Sequence, residues 1–376
     1  MPITSIRSVS ATIAGCAGAF VAGSAIPAPA LMKDVLVRDT PQLVTVLRQS
    51  RGGQRILLAP GEYAPFALRG IAPPTELVIT SQDPARRAVL TGVNLRDGAN
   101  LTFRNVVLRS SGKAVQEDFL FRGMRKLTIS NILASGRAGA VGLAEDKIMQ
   151  LRECTDAAIS RAEFTNAVIA LSLLDTNGVS VTSSYFHGLR MDAIRGGGNS
   201  NVLIAYNHIT DFSPKAGDHP DGIQFWTRRQ KVAAHDIRIA GNVIHRGHGK
   251  PMQGIFMRDE TSSLPYRGVD IQDNIVIGGM FNGIAVLSET NSLTLRNNVI
   301  AAYPDMKSWI RVNEHATLRD NSSPIYLIGN KRAKVVRNNR IVPVRADAGA
   351  AALKTWARAR PLHRYSESLR RHVDSL

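Results

Sequence analysis

Two segments near the middle of the chain bring together the residue types that acid–base chemistry needs. Residues 213–220 read SPKAGDHP, residues 246–252 read RGHGKPM, and Asp221 follows the first segment directly. A histidine can take a proton, a carboxylate can orient that histidine, and lysine or arginine can neutralise an anionic substrate. This combination favours removal of a proton next to a carboxylate group, a reaction that does not require paired carboxylates.

A short motif recurs beside these segments and predicts a shared surface. In four places an Asp, Gln or Asn stands two residues before an isoleucine. The copies are Asp192-Ala193-Ile194, Asp221-Gly222-Ile223, Gln253-Gly254-Ile255 and Asn282-Gly283-Ile284. If each Ile points into a core, alternation along a strand sends the next residue outward. The predicted outward residues are Arg195, Gln224, Phe256 and Ala285, followed two residues later by Trp226, Arg258 and Leu287.

The two polar segments follow corresponding positions of this repeat, so we expect them to lie in neighbouring units. Loops inserted on a rigid repeat are its usual place of function. The expected cluster comprises Lys215, Asp218, His219, Asp221, His245, His248 and Lys250, with His187, Arg190 and Asp192 one unit before and Arg258, Asp259 and Glu260 beside them.

A second repeat indicates the elements that would hold this surface. The pattern is apolar, any, apolar, two of any, Asn, any, apolar. Its full copies are Val202-Ile204-Asn207-Ile209, Ile237-Ile239-Asn242-Ile244, Val269-Ile271-Asn274-Val276 and Leu293-Leu295-Asn298-Ile300. Degenerate copies extend it from about residue 100 to residue 341, and each unit is long enough for one coil of a solenoid.

Short strands with inward apolar residues, joined at a bend by Asn, predict an all-β fold. We expect a single-stranded right-handed parallel β-helix of about ten coils, with an N-terminal helical cap and a basic C-terminal helical segment. Asn tolerates the left-handed backbone angles of a bend, and stacked Asn side chains can form a hydrogen-bonded ladder. The strands are too short for a helical repeat, and no Asn-Gly turns join them as in a β-propeller.

The predicted organisation has four parts. They are a signal peptide (1–30), an N-terminal cap with the first coils (31–99), the β-helix (100–343) and a C-terminal helical cap (344–376). The signal peptide is indicated by Arg7, a small-residue apolar stretch and the sequence Ala28-Pro29-Ala30, which favour a periplasmic or secreted location. We expect a helix over Pro41–Arg51, and two basic helices, over Ala348–Arg360 and Glu367–Val373, that pack over the last coil.

The charge of the chain points to a polyanionic partner. Lys and Arg number 47 against 30 Asp and Glu, which gives a formal net charge of +17. Such a field attracts acidic polysaccharides, nucleic acids and anionic membranes. A low aromatic content of 6% and the lack of a reading motif disfavour nucleic acid, and no segment beyond the signal peptide is suited to span a membrane. We therefore expect a monomer that binds an acidic polysaccharide.

Over about residues 40–345 the chain resembles the pectate-lyase-like superfamily of right-handed β-helix proteins, which are mostly lyases, hydrolases and C5-epimerases of uronic-acid polysaccharides. Asp218-His219-Pro220-Asp221 is similar in composition, though not in order, to the Asp-Pro-His-Asp motif of alginate C5-epimerases. Gly247-His248-Gly249 is similar to the Gly-His-Gly of polygalacturonases. The latter family has an adjacent Asp pair on the preceding strand, where this sequence offers only Asp221, which weakens the case for hydrolysis by paired carboxylates.

The resemblance and the residue types together predict a polysaccharide lyase that cleaves by β-elimination. We expect His219 or Lys215 as the base, Asp221 as the group that orients His219, and Arg258 or Arg195 as the cation that neutralises the uronate carboxylate. The expected substrate-binding residues are Arg190, Arg195, Gln224, Trp226, His248 and Lys250.

Several alternatives remain open from the sequence. The protein could be a C5-epimerase or a glycoside hydrolase of the same substrate class, or a non-catalytic β-helix that binds acidic glycans. The sequence indicates no definite cofactor, and Ca²⁺ could replace arginine as the neutralising cation. Its candidate ligands are Asp192, Asp218, Asp221, Asp259 and Glu260.

Overall fold

The computed structural model describes residues 32–112, 117–137 and 145–376, so the signal peptide predicted at residues 1–30 lies outside the described residues. Three parallel sheets run along the molecule, and each coil contributes one strand to each of them. One coil, for example, runs from Ser200–Ala205 through His208–Thr210 to Asp221–Thr227 before the next begins at His235–Ala240. The right-handed parallel β-helix expected from the sequence is confirmed.

Each sheet contains twelve strands within the described part of the chain. The first sheet comprises Lys33–Val37, Gln54–Leu58, Leu77–Ser81, Ala99–Arg104, Arg125–Ser130, Thr155–Ser160, Asn177–Thr182, Ser200–Ala205, His235–Ala240, Tyr266–Gln272, Thr290–Arg296 and Thr317–Arg319. The second sheet comprises Glu62–Tyr63, Val89–Leu90, Val107–Arg109, Leu133–Ser135, Glu163–Ala167, Tyr185–Leu189, His208–Thr210, Val243–His245, Ile275–Ile277, Val299–Ala301, Ser322–Ser323 and Arg340–Ile341.

The third sheet carries the outward surface predicted from the isoleucine motif. It comprises Phe66–Arg69, Val93–Arg96, Phe119–Arg122, Lys147–Arg152, Ile169–Leu174, Ile194–Gly197, Asp221–Thr227, Gln253–Asp259, Phe281–Val286, Ser308–Val312, Tyr326–Ile328 and Lys331–Arg332. Only its last pair of strands, within the described residues, is antiparallel.

The core is a column of apolar residues that face inward from all three sheets. In the first sheet Val202, Ile237, Val269 and Leu293 pair in successive strands and are each at most 2% exposed. Burying one such side chain contributes about 1.5–3 kcal/mol relative to leaving it exposed. Because every coil repeats the pattern, the fold gains this contribution along its whole length.

The predicted asparagine ladder is present at the bend between the first and second sheets. Asn207, Asn242, Asn274, Asn298 and Asn321 are fully buried, and each donates a side-chain hydrogen bond of 2.8–3.0 Å to the next rung. The last of these bonds reaches the amide oxygen of the final rung, which belongs to the coil after Asn321. The ladder thus fixes the register of successive coils.

The expectation that the ladder asparagines adopt left-handed angles is wrong. The residue before each asparagine does so instead, as at Tyr206, Gly241, Asp273 and Asn297, with φ between 54° and 66°. The turn is made one residue earlier because the asparagine must point inward to reach both neighbouring coils. At Asn242, for example, the backbone amide and the side chain donate hydrogen bonds to Asn274 of the next coil, and the side chain also donates to the Ile204 carbonyl of the previous coil.

The N-terminal helix covers Thr40–Gln49 and follows the first strand of the solenoid. The Asp39 side chain accepts a hydrogen bond of 2.8 Å from the Gln42 amide, which caps the helix. Leu43 and Leu47 lie one turn apart and are buried in the core, so a single face of the helix packs against the β-helix.

Two C-terminal helices, Ala350–Arg358 and Glu367–Asp374, flank the β-helix. We expected them to pack over the last coil, but Leu353, Trp356 and Leu369 pack on outward-facing apolar residues of the second sheet. These outward residues are Val243, Ile275, Ile277 and Ala301. Because they form an apolar stripe on the outside of the solenoid, the helices bury them and lie along its side. No helix of the described residues is long and apolar enough to span a membrane.

Candidate active site

The site lies on the outer face of the third sheet. Ile194, Ile223, Ile255 and Ile284 pair in register and are fully buried, as the isoleucine motif predicted. Each following residue therefore points outward. The resulting column is Ser172, Arg195, Gln224, Phe256 and Ala285. A second outward column places Trp226 beside Arg258.

A histidine and an aspartate form the central pair of the site. His219 lies in the loop before the strand Asp221–Thr227, and its side chain is 59% exposed. Its Nδ1 lies 3.1 Å from Oδ2 of Asp221, a side chain that is fully buried. Gln224 donates a hydrogen bond of 2.6 Å to the same oxygen. The carboxylate thereby holds the imidazole in one orientation, with the other ring nitrogen directed away from it.

The second ring nitrogen of His219 contacts a side-chain amide from the next coil. The Nε2 atom of Gln253 lies 2.7 Å from Nε2 of His219 and 2.9 Å from its Nδ1. Asn282 donates to the carbonyl oxygen of Gln253, and the indole of Trp309 donates to Asn282 at 2.9 Å. When Nδ1 of His219 donates its proton to Asp221, Nε2 carries no proton and accepts the hydrogen bond from the Gln253 amide. Nε2 is then the ring atom that can take a proton from a substrate.

Burial and charge shift the acid–base properties of this group. The hydrogen bond that His219 donates to Asp221 raises the pKa of His219, because the carboxylate stabilises the imidazolium, although partial burial opposes the effect. Burial also raises the pKa of Asp221. The carboxylate thus stabilises the protonated form of His219, the form that a general base reaches after it takes a proton.

A second buried carboxylate stands one coil away. Asp192 occupies the same place in its motif as Asp221, and the Ala193 amide donates to the carbonyl of Asp221 at 3.1 Å. Burial, and then the charge of Asp221, raise the pKa of Asp192 to about 7. One oxygen of each carboxylate is buried and has no hydrogen-bond partner among the described residues. These carboxylates form a pair, although the sequence offered only Asp221 next to His219.

Arg195 supplies the positive charge closest to this pair. Its Nε donates to Ser172 at 3.0 Å, one guanidinium nitrogen lies 3.9 Å from Asp192, and the group stands 5.6 Å from the ring centre of Trp226. Burial lowers the pKa of Arg195 from its usual high value, but arginine stays charged at neutral pH. Arg258 stands exposed at the far side of Trp226 and completes this surface.

Two other predicted residues hold the loop before His219 in place. Arg190 makes a bidentate contact with Asp218, at 2.6 and 3.1 Å, and contacts Glu145 at 2.9 Å. Lys215 pairs with Glu145 through its ammonium group, and its backbone amide donates to Asp218 at 2.8 Å. The geometry therefore favours His219 over Lys215 as the base, because the ammonium is engaged in an ion pair. Glu145 has no motif around it, so sequence reasoning missed it.

The single cluster expected from the two polar segments is wrong in one respect. The ring of His245 stacks on His208 and on His372 of the last helix, with ring centres 4.9 and 4.8 Å apart, respectively. His187 stacks on Tyr185, and its Nε2 lies 2.9 Å from Glu163. These histidines are on the second sheet, where strand alternation points them at the C-terminal helix. The backbone amide of His248 donates to the Asp211 side chain, and that of Lys250 donates to the Phe212 carbonyl, so both residues lie beside the loop that leads to His219.

The five candidate Ca²⁺ ligands are used in different ways. Asp218 binds Arg190, and Asp259 accepts hydrogen bonds from Thr261 and Leu264, which shape the next loop. Glu260 lies 3.9 Å from Arg228. Within the described residues, no three His, Cys, Asp or Glu side chains are placed to share a metal ion. Asp192 and Asp221 are the two candidates that remain together.

Comparison with known families agrees with this architecture. Residues 124–300 match the family described as the right handed beta helix region. Together with the three parallel sheets, this match identifies the region as a right-handed β-helix. No curated protein matches the sequence.

Three solved structures that match this chain are described as a glucanase, an alginate lyase and an alginate epimerase. The catalytic domain of a variant GH87 alpha-1,3-glucanase, in complex with tetrasaccharides, is 13% identical; the match covers 86% of this chain and 70% of that one, with a TM-score of 0.50. A variant of the PL6 family alginate lyase AlyGC is 15% identical, with 82% and 53% covered and a TM-score of 0.40. A variant of the periplasmic alginate epimerase AlgG is 14% identical, with 79% and 70% covered and a TM-score of 0.43. At 13% identity, the likeness to the glucanase domain concerns the fold.

Proposed function

We propose that the protein is an enzyme that acts on an acidic polysaccharide, and specifically a lyase that cleaves a uronic-acid polymer by β-elimination. The observation that carries the proposal is the pair formed by exposed His219 and buried Asp221 beside the cation Arg195. Such a pair provides a base with a directed acceptor atom, and the cation provides a place for a carboxylate.

The reaction would use these groups as follows. Arg195, with Arg258 at the outer edge, neutralises the uronate carboxylate and so makes the adjacent C5 proton more acidic. Nε2 of His219 takes that proton, and Asp221 stabilises the imidazolium that forms. The C4–O bond breaks as the C4–C5 double bond forms, and the departing oxygen takes a proton from water.

The substrate class is supported by charge and by fold. The formal net charge of +17 favours a polyanion, and Trp226 offers an aromatic face on which a sugar ring can stack. The glucanase domain that shares this fold is described in complex with tetrasaccharides. We propose a periplasmic or secreted location on the basis of the signal peptide predicted at residues 1–30, and we propose that the protein is a monomer.

Hydrolysis is the second candidate, because Asp192 and Asp221 form a buried carboxylate pair with one member protonated in part near neutral pH. A protonated carboxyl can serve as the acid, and its partner can activate water or attack the sugar. Epimerisation at C5 would use the same base without cleavage.

The decisive experiment incubates the purified protein with a panel of acidic polysaccharides and follows two signals. Ultraviolet absorbance reports the unsaturated uronate that only a lyase forms, and reducing ends report any cleavage. Each assay is repeated with chelator, to test Ca²⁺ as the neutralising cation, and with His219→Ala. The matched control is His235→Ala, because His235 also contacts a neighbouring aspartate, at 2.8 Å from Asp236, but lies on the first sheet.

A rise in both signals that is lost in His219→Ala and kept in His235→Ala supports the lyase. Reducing ends without absorbance would replace it with the hydrolase, and inverted C5 configuration without either signal would replace it with the epimerase. Binding of the polymer without any of these changes would leave a non-catalytic glycan-binding protein.

A further inference from the structure

We propose that four stacked arginines on the third sheet form an anion-binding track that guides an acidic polymer to the site at His219. The arginines are Arg69, Arg96, Arg122 and Arg152, and we call them the arginine column. This inference deepens the proposed function, and it rests on that function for the identity of the polymer.

The column is defined by strand register. Arg69 pairs with Arg96, Arg96 with Arg122, and Arg122 with Arg152 in four successive strands. All four stand at the same outward position near the end of their strands, and Arg69 has 79% of its side chain exposed. Successive arginines are therefore about 4.8 Å apart along the axis, a spacing similar to the length of one sugar ring.

Four like charges in register are unfavourable for the fold alone. Side chains directly opposite each other on neighbouring strands are close, so like charges there reduce stability. The acidic neighbours offset this only in part: Asp97 pairs with Arg69 at 2.8 Å, and Glu153 pairs with Arg122 at 2.9 Å and with Arg152 at 3.4 Å. Arg96 has no acidic partner at ion-pair distance among the described residues, and its Nε donates to the Asn94 side chain at 3.1 Å. The surface thus keeps cationic capacity that an anionic ligand would satisfy.

The same column leads to the site without a change of sheet. Arg152 pairs with Leu174, and Leu174 pairs with Gly197. Gly197 lies next to Trp226 of the following strand, because a Cβ added to Gly197 would lie 2.4 Å from the Trp226 carbonyl oxygen. Trp226 then pairs with Arg258. From Arg69 to Trp226 there are six steps of about 4.8 Å, or about 29 Å in all.

The outward column next to the arginines consists of short or uncharged side chains. The adjacent outward column contains Ala67, Asn94, Leu120, Gln150 and Ser172 before it reaches Arg195. Leu120 and Ser172 in this column are buried, so an extended polymer would lie along the more exposed arginines beside it, with its carboxylates against their guanidinium groups. Guanidinium groups suit this role because they bind carboxylates through two parallel hydrogen bonds.

The inference predicts that affinity depends on polymer length. A short oligosaccharide that occupies only the coils of Trp226 and Arg195 gains nothing from the column. A polyuronate that extends about three coils beyond Trp226 reaches Arg152, and one of about six or more units covers the whole column and gains charge-assisted contacts, which salt weakens.

The test compares the full-length variant Arg96→Gln/Arg122→Gln with the control Arg104→Gln/Arg125→Gln. Arg104 and Arg125 are exposed on the first sheet in the same region, so both variants lose the same charge. Binding of polygalacturonate and of alginate, as long polymers and as trimers, is measured by calorimetry in the His219→Ala background at several salt concentrations. Dextran serves as a neutral polymer.

We expect the column variant to bind a long polyuronate about tenfold more weakly and with a smaller salt dependence, while the control changes less than about twofold. Trimer binding should be equal in both. Equal losses in the two variants, or no loss in the column variant, would overturn the inference. Because binding is measured without turnover, a failed activity assay would count against the proposed function and leave this result standing.

Discussion

The Nε2 atoms of His208 and His245 lie 2.7 Å apart, at the interface between the second sheet and the last helix. The rings are nearly parallel, and His245 also stacks on His372 of that helix. At this separation one nitrogen must donate and the other accept, so at least one of the two imidazoles is neutral. The helix is therefore attached to the β-helix beside a histidine pair that carries at most one positive charge.

This pair predicts that acid weakens the fold. Burial lowers the pKa of His208 well below 6.5 and lowers that of His245 to about 3, and the neighbouring histidines add to both effects. His372, His187 and His248 are these neighbours, and Asp211 is the acidic group that acts on His372. The unfolded chain takes up protons near pH 6.5 and the folded chain does not, so stability is complete above that pH and is lost towards pH 3.

The measurement is the free energy of unfolding in denaturant at pH 7 and pH 5. We expect each buried histidine to contribute a loss on the order of 1–2 kcal/mol between these values. His245→Gln should be less stable at pH 7 but should lose less on acidification, whereas the exposed His315→Gln should behave as the native chain. An identical pH dependence in His245→Gln would contradict the assignment.

The asparagine ladder predicts a large local cost for a single deletion. Asn274 donates from Nδ2 to Ile239 and Asn298, and its Oδ1 accepts from the backbone and side chain of Asn242. Asn274→Ala leaves these buried groups unsatisfied, at about 1–3 kcal/mol each, and should lower the unfolding free energy by at least about 3 kcal/mol. The control Asn339→Ala removes the final, half-exposed rung and should cost clearly less. Equal costs would show that the ladder does not act cooperatively.

The ladder could be predicted from the sequence because only asparagine both donates to one coil and accepts from the next at that position. The left-handed residue before it could not, since Tyr206, Gly241, Asp273 and Asn297 all occupy it. Its conformation follows from the path of the coil rather than from residue type.

In the candidate site, too, some contacts could be predicted from the sequence and others could not. The pairing of His219 with Asp221 could be anticipated because the residues are two apart in one loop. The approach of Asp192 to Asp221 depends on the length of the intervening coil, and that of His372 to His245 on how a distant helix folds back. Neither distance is encoded in a local pattern.

Trp356 tests the attachment of the C-terminal helices. Its side chain is 4% exposed, packs on the apolar stripe of the second sheet and donates a hydrogen bond of 3.0 Å to the Asp273 carbonyl. Trp356→Ala should lower the unfolding free energy by about 3–5 kcal/mol, since it leaves a cavity and an unpaired carbonyl. The exposed Val335→Ala is the control. A near-native stability of Trp356→Ala would mean that the helix does not contribute to the fold.

The pairing of His219 with Asp221 predicts a change in the pH dependence of turnover. If His219 is the base, activity on the acid side falls as its imidazole becomes protonated, with a midpoint at the pKa that Asp221 raises. Asp221→Asn removes the charge, so the midpoint should move to lower pH while the maximal rate falls by about 10²- to 10⁴-fold.

The control is Asp236→Asn, because Asp236 contacts His235 at 2.8 Å in the same way on the first sheet. It should leave both the rate and the profile unchanged. If the acid midpoint stays in place in Asp221→Asn although the rate falls, the titrating base is a group other than His219, and Asp221 acts by holding the loop.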